Sequence, residues 1–167
     1  SLTSRISSKL YTVSKEELVA FESTPPLYNA DNAPVDGRIF PEPRVNLGLS
    51  LNKIANSMID ISDGLIQDAC HLAKNSNLTI VLDIEKVPLP SFISLKKDFL
   101  LDAALYGGDD YELLFSCRAT HEKALKQISI EKNINLTHIG VFQDFNKNHI
   151  LLKNYNHSMK KKSYLHF

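Results

Sequence analysis

The segment "SMIDISDGLIQDACHLAKNSNLTIVLDI" (Ser57–Ile84) changes its hydrophobic period twice and thereby decides the fold class. It opens with the alternating pattern of a strand, continues with apolar residues three and four apart, as in a helix, and closes with a β-branched run typical of a second strand. A strand, a helix and a strand in succession predict a sheet covered by helices. One face of the predicted helix carries five apolar residues: Leu65, Ile66, Ala69, Leu72 and Ala73.

Similar changes of period continue along the chain and predict one α+β domain, residues 41–167, in which helices cover a mixed sheet. A first helix is predicted at 44–56, and its Val45, Leu49 and Ile54 are expected to face the core. The elements that follow have the order βαβαβαββ. After the quoted segment, helices are predicted at 91–105 and 120–133, and strands at 111–117, 136–142 and 149–153.

Residues 1–40 are predicted to be a linker or irregular segment with one short helix. The proline-rich stretch "PPLYNADNAPVDGRIFPEP" (25–43) is typical of an irregular connection. Before it, Ser14 and Glu17 have the spacing of a capping box, which predicts the short helix. The chain begins with Ser rather than Met, so the possibility that it is a piece of a longer protein stays open.

Composition argues against several classes of partner. Lys plus Arg equal Asp plus Glu, 19 against 19, so no basic field attracts nucleic acid or an anionic membrane. No apolar run approaches the roughly 18 residues that a membrane helix needs, and no signal-peptide pattern is present. Cys70 and Cys117 lack metal-ligand spacing and are interpreted as reduced core residues. We therefore expect a soluble, cytoplasmic protein that binds neither nucleic acid nor membranes.

Acidic and hydroxyl side chains stand where the first strand of the quoted segment turns into its helix. Along that strand Asp60 and Ser62 share one side, and Asp63 and Gly64 turn the corner. Sheets of this kind tend to bind ligands at the carboxyl ends of strands, and the free amides of a helix amino terminus favour anions such as phosphate. Because two carboxylates would repel a phosphate, a hard cation such as Mg²⁺ is expected between them. The stretch predicts a metal–phosphate site.

A purely structural interpretation of the same residues stays open. Ser62 or Asp63 is also a good N-cap for the helix that follows. Asp60 is harder to explain in this way, because a strand-interior carboxylate between two isoleucines is costly to desolvate unless it is paired or bound to metal.

The stretch "LYGGDDYELLF" (105–115) has the same character. Gly107 and Gly108 permit a close backbone approach or a positive φ, two aspartates follow at the turn, and Glu112 is predicted to lie within the next strand. Alternatively, the glycines end a helix and Glu112 is a charged residue at a sheet edge. Two acidic strand-edge sites in one small domain favour a functional interpretation.

Taken in order, "PEPRVNLGLSL", "IDISDGL", "GGDDYELLF", "HIGVF" and "SYLHF" resemble the carboxyl-terminal half of the thiamine-monophosphate kinases, in the superfamily that includes aminoimidazole ribonucleotide synthetase. The resemblance covers roughly residues 41–167. It implies transfer of the γ-phosphoryl group of ATP to thiamine monophosphate with the help of Mg²⁺, in a homodimer. It also implies an amino-terminal ATP-binding domain that this chain lacks, so the isolated chain is expected to be inactive.

The resemblance assigns roles to five residues. It implies that Asp60 and Asp63 bind Mg²⁺, that Ser62 contacts ATP, and that Glu112 contacts the substrate. Tyr164 would stack on the thiamine part, although many members of the family carry Trp at that position and a terminal aromatic ring also packs well on a core. No side chain is implied as a covalent catalyst.

Two other functions stay open at this point. One is a different synthetase of the superfamily, in selenophosphate or purine synthesis. The other is a noncatalytic module that binds a phosphorylated ligand or a protein.

Overall fold

The computed structural model describes residues 8–13, 43–89, 96–108 and 111–155. Within them the chain forms a six-stranded mixed sheet of order β2-β4-β1-β5-β3-β6. All neighbouring strands are antiparallel except β3 and β6, which are parallel. The strands are β1 Ser8–Val13, β2 Ala55–Asp60, β3 Leu78–Asp83, β4 Leu113–Arg118, β5 Leu136–Asp144 and β6 Ile150–Lys153. The α-helices are α1 Val45–Leu51, α2 Leu65–Ser76, α3 Lys97–Tyr106 and α4 Glu122–Lys132.

Helices cover the sheet on both faces, because each strand directs alternate side chains to opposite sides. In β4, for example, Leu114 and Phe115 are both fully buried but belong to different cores. The first core lies between the sheet and helices α2 and α3, and the second between the sheet and helices α1 and α4. The predicted α+β fold and the predicted order of elements from α1 onward are confirmed.

The first strand corrects the assignment of residues 1–40 to a linker with one short helix. Ser8–Val13 form β1, which lies inside the sheet between β4 and β5. Both faces of β1 are covered: Leu10 contributes to one core, while Tyr11 and Val13 contribute to the other. A strand buried on both faces lacks the alternation of apolar and polar residues by which short strands are recognised. The predicted helix beginning at Ser14 lies outside the described residues.

Helix α1 also differs from its prediction. It is shorter, and Val45 and Leu49, which were expected to face the core, are 61% and 70% exposed. The core is filled instead by Leu47 and Leu51, four residues apart on the opposite side of the helix. Ile54, the third expected core residue, follows the helix and packs partly buried against the second core. In a helix of seven residues, two competing apolar faces of equal length cannot be ranked from the sequence.

The expectation that both cysteines are reduced core residues is met in part. Cys117 is buried, Cys70 is half-buried, and both are free thiols. In the described part of the chain, none of the helices combines the length and the apolar composition that crossing a bilayer requires.

Candidate functional site

The two acidic stretches meet at one end of the sheet because β2 and β4 are antiparallel neighbours. Asp60, the last residue of β2, lies opposite Leu113, the first residue of β4. Pairing continues beyond the strands: the Ile61 amide donates to the Glu112 carbonyl and the Tyr111 amide to the Ile61 carbonyl, both at 2.8 Å. We call residues 61–64 the β2–α2 turn and residues 107–112 the α3–β4 connection.

Glycines allow these two segments to touch. A Cβ atom on Gly108 would lie 2.4 Å from the carbonyl oxygen of Ser62, closer than any side chain tolerates. Gly64 has φ +110°, and a Cβ there would lie 3.1 Å from the Tyr106 carbonyl carbon. The close backbone approach predicted for the Gly107–Gly108 pair is therefore confirmed, with Ser62 as the partner of Gly108.

Asp68 holds the β2–α2 turn from inside the protein. This residue lies in the first turn of α2 and is only 2% exposed. Its Oδ2 accepts the amide of Ser62 at 2.9 Å and the amide of Asp63 at 3.1 Å. These two amides are therefore occupied by Asp68 rather than open to a phosphate. The sequence offered one signal for Asp68, namely an acidic residue early in a predicted helix. Carboxylates at such positions are stabilised by the helix amino terminus.

The N-cap interpretation of the turn is wrong as well. Gly64 occupies the N-cap position of α2, and within the described part of the chain no side-chain hydrogen bond caps the helix there. The side chain of Asp63 is exposed and accepts a hydrogen bond from Gln67 Nε2 at 3.2 Å, while Ser62 is half-buried. Neither residue is therefore explained by capping.

Asp60 is exposed, since it ends an edge strand of the described sheet. The argument that its carboxylate is costly to desolvate is wrong, because the side chain is exposed and, among the described strands, β2 pairs with β4 alone. The predicted alternation along β2 is confirmed: Ile59 and Ile61 join the first core, and Met58 packs against the second. An exposed carboxylate at this position is accessible to a cation.

Among the described residues, one group of three brings potential metal ligands together: Asp63, Asp68 and His71 have ligand atoms within 4.8 Å of one another. Asp60 is not a member of this group. Mg²⁺ prefers carboxylate and water oxygens to imidazole nitrogen, so the two carboxylates fit it better than His71 does. Of these carboxylates, Asp63 is the exposed one. Asp60 and Asp63 thus have the chemistry and exposure for a hydrated hard cation.

Glu112 is held by an arginine that the sequence analysis did not single out. Arg44 directly precedes α1, and Glu112 directly precedes β4 rather than lying within it. Both guanidinium contacts to the carboxylate measure 2.9 Å. Each Glu112 oxygen thus accepts one Arg44 N–H and keeps a second lone pair for another donor. The "PEPR" stretch before a helix was the only local signal for Arg44.

Tyr111 has an unusual backbone in the α3–β4 connection. Its φ of +50° is in the left-handed region, which bulky residues seldom adopt, and its side chain is 38% exposed. Strained residues of this kind occur often at functional sites. Asp109, Asp110 and Tyr164 lie outside the described residues.

Comparison with known proteins identifies the family of this chain. Residues 16–153 match the family "AIR synthase related protein, C-terminal domain". The thiamine-monophosphate kinase of Buchnera aphidicola subsp. Schizaphis graminum is 37% identical over 125 residues, which are 74% of this chain and 39% of that protein. The chain thus spans less than half the length of this relative.

Solved structures show the same partial correspondence. The thiamine-monophosphate kinase from Stenotrophomonas maltophilia K279a superimposes with a TM-score of 0.72 at 28% identity, over 89% of this chain and 51% of that one. AaThiL complexed with AMPPCP and TMP superimposes with a TM-score of 0.62 at 26% identity, over 89% of this chain and 48% of that one. Since the family match includes every described element from α1 to β6, the chain belongs to the AIR synthase related family and contains its C-terminal domain.

Proposed function

We propose that this chain is the carboxyl-terminal, substrate-binding half of a thiamine-monophosphate kinase. The complete enzyme would transfer the γ-phosphoryl group of ATP to thiamine monophosphate and release ADP and thiamine diphosphate. The observation that carries the proposal is the junction of the two acidic segments, in which Ile61 exchanges backbone hydrogen bonds with Tyr111 and Glu112. The adjacency of these two segments supports one shared site for Asp60, Ser62, Asp63 and Glu112, and similarity to thiamine-monophosphate kinases supports the choice of substrates.

Phosphoryl transfer requires positioning and charge neutralisation rather than a covalent catalyst. In the proposed site Asp60 and Asp63 would hold Mg²⁺, which when bound neutralises charge on the transferring phosphoryl group. The hydroxyl of Ser62 would contact ATP from the same turn. All three residues lie within four positions at the end of β2, so the strand and its turn set their spacing.

Glu112 would contact thiamine monophosphate with the lone pairs that Arg44 leaves free. Because Arg44 holds both carboxylate oxygens, the position of Glu112 is set before any substrate arrives. Tyr164 would offer its ring to the cationic thiazolium of the substrate. Most of the remaining nucleotide and metal ligands would come from an amino-terminal half, and the complete enzyme would act as a homodimer in the cytoplasm.

Formation of thiamine diphosphate from ATP and thiamine monophosphate tests the proposal, in an enzyme that joins these residues to an amino-terminal half. We expect Asp60→Asn and Asp63→Asn each to lower turnover at low Mg²⁺ by about 100-fold, as loss of one electrostatic contact to a transition state does. Asp98→Asn is the matched control, because Asp98 is an exposed aspartate in the first turn of another helix. Normal turnover of both variants at low Mg²⁺ would contradict the metal assignment.

The 167-residue chain provides a second test. By itself it should form no thiamine diphosphate, because most of the charge-neutralising ligands would be missing. Product formed by the purified chain, with contaminating enzyme excluded, would contradict the division of the site between two halves.

A further inference from the structure

Asp68 is a buried carboxylate to which the proposed reaction gives no role. It is 2% exposed and lies beneath the β2–α2 turn, in the first turn of α2. A carboxylate in such surroundings is costly unless hydrogen bonds compensate for the lost water. The compensation comes from the turn itself, through the amides of Ser62 and Asp63. The cost of burying Asp68 is therefore linked to one conformation of this turn.

The geometry of these bonds restricts the backbone more than a single contact would. One oxygen, Oδ2, accepts from two successive amides, at 2.9 Å and 3.1 Å. Both peptide planes must therefore point toward the same atom, which limits the torsions on either side of Ser62. Hydrogen bonds from backbone N–H groups to an ionised carboxylate are about twice as strong as neutral ones. Asp68 accordingly directs the backbone from which the side chains of Ser62 and Asp63 project.

From these contacts we infer that Asp68 is a positioning residue: its carboxylate holds the β2–α2 turn in the conformation that presents Ser62 and Asp63 to the metal–phosphate site. The catalytic consequence rests on the function proposed above, whereas the hold on the turn does not. Asp68 acts through the backbone of the turn and is not assigned a contact with ATP or thiamine monophosphate.

Amide hydrogen exchange in the 167-residue chain tests the hold on the turn. In the unaltered chain the amides of Ser62 and Asp63 should be protected, although both precede the helix. Asp68→Asn, which removes the charge and keeps the shape, should accelerate their exchange about tenfold or more relative to the amide of Ala73 in the second half of α2. The control Asp98→Asn removes a first-turn charge from α3, whose Asp98 makes no hydrogen bond with the β2–α2 turn in the described structure, and should leave this exchange unchanged.

Two results would overturn the inference at this step. One is rapid exchange of Ser62 and Asp63 in the unaltered chain, which requires no variant to fold. The other is unchanged exchange of both amides in Asp68→Asn. If Asp68→Asn does not fold, Asp68→Ser keeps a small acceptor and serves as the second variant, with the same expected acceleration.

Magnesium dependence in the enzyme joined to an amino-terminal half tests the catalytic consequence. Asp68→Asn should raise the Mg²⁺ concentration for half-maximal turnover by about 10–100-fold, as loss of a residue supporting a metal ligand does. Excess Mg²⁺ should restore much of the turnover, and the KM for thiamine monophosphate should stay unchanged. A residue that contributed to stability alone would lower the amount of folded enzyme without changing its Mg²⁺ dependence.

The two proposals fail in different ways. If Asp68→Asn releases both amides but leaves the Mg²⁺ dependence unchanged, Asp68 is not a positioning residue. If Asp63→Asn leaves the Mg²⁺ dependence unchanged, the metal assignment of Asp63 fails, and the exchange measurement still decides whether Asp68 holds the turn.

Discussion

Arg44 and Glu112, which are 68 positions apart in the chain, form a bidentate ion pair: Nε donates to Oε2 and Nη2 donates to Oε1, each at 2.9 Å. Their side chains are 19% and 14% exposed, so the pair is largely shielded from water. A forked arrangement of this kind is stronger than a single contact and also restricts geometry. The pair connects the start of α1 to the end of the α3–β4 connection, and thereby links the second core to the candidate site.

We expect this ion pair to contribute to stability. Glu112→Gln and Arg44→Gln should each lower the free energy of unfolding of the chain by about 1–3 kcal/mol, because each leaves a charged, poorly hydrated partner. The double variant should cost less than the sum of the two, with a coupling energy of about 1 kcal/mol or more. Urea denaturation of the four proteins measures this cycle.

The exposed pair formed by Lys9 and Glu122 is the control for that cycle. Its N–O distance is 3.2 Å, and the two side chains are 27% and 52% exposed. The same cycle there should give a coupling energy of at most about 0.2–1 kcal/mol, since water screens exposed pairs. Equal coupling energies for the two pairs would show that shielding Arg44 and Glu112 from water does not strengthen their interaction.

Contact between the two acidic segments should depend on Gly108. A methyl group there would meet the Ser62 carbonyl oxygen at 2.4 Å, so Gly108→Ala should destabilise the chain by about 1–3 kcal/mol, as overpacking does. Gly48→Ala is the matched control, because a Cβ atom at Gly48 in α1 meets its nearest neighbour, Met58 Sδ, at 3.7 Å.

That control should raise the free energy of unfolding by about 0.5–1 kcal/mol, since alanine is the better helix former. Thermal or urea unfolding of both variants compares them directly. Equal stability of Gly108→Ala and the unaltered chain would contradict this prediction. It would mean that Gly108 can move away from Ser62 without a loss of stability.

Stability should also depend on pH through His138. The ring lies 5.4 Å from that of Tyr11, and Nε2 is 2.9 Å from the Gly140 carbonyl oxygen. Burial lowers the pKa of His138, and this effect outweighs the opposing hydrogen bond to the Gly140 carbonyl. As the pH falls below about 6.5, the unfolded chain binds a proton at this residue before the folded chain does.

The free energy of unfolding should therefore decrease as the pH falls through this window, by up to about 1.4 kcal/mol per pH unit, and His138→Gln should reduce the slope. Urea titrations at several pH values between 5 and 7 measure how the free energy of unfolding changes with pH. An identical slope in His138→Gln would assign the pH dependence to other groups.

Tyr164→Ala tests the assignment that lies outside the described residues. If the ring stacks on thiazolium, the variant should weaken use of thiamine monophosphate several-fold to about thirty-fold, the range for a cation–π contact of about 0.5–2 kcal/mol. Use of ATP should stay almost intact, and Glu112→Gln should follow the same pattern. Steady-state kinetics in which each substrate is varied separately show whether the use of thiamine monophosphate alone is weakened. Equal impairment of both substrates, or of neither, would make Tyr164 a packing residue.

Local sequence patterns were sufficient for elements such as α2 and β3. The helix α2 follows from the spacing of its apolar residues, and the strand β3 follows from its β-branched run. The two acidic stretches were also visible in the sequence, because several polar residues interrupt apolar segments where a strand meets a helix or follows one.

Tertiary structure decided what depends on contacts between distant parts of the chain. The position of β1 between β4 and β5 and the place of β2 at an edge of the described sheet follow from which strand lies beside which. The choice of Leu47 over Leu49 for the core follows from how α1 packs against the second core. The same holds for the pairing of Arg44 with Glu112. Asp68 is only five residues from Asp63, yet its burial and its two amide contacts also required the folded structure. The physical reason is that solvation and hydrogen-bond pairing depend on the whole surroundings of a side chain, which sequence spacing alone does not specify.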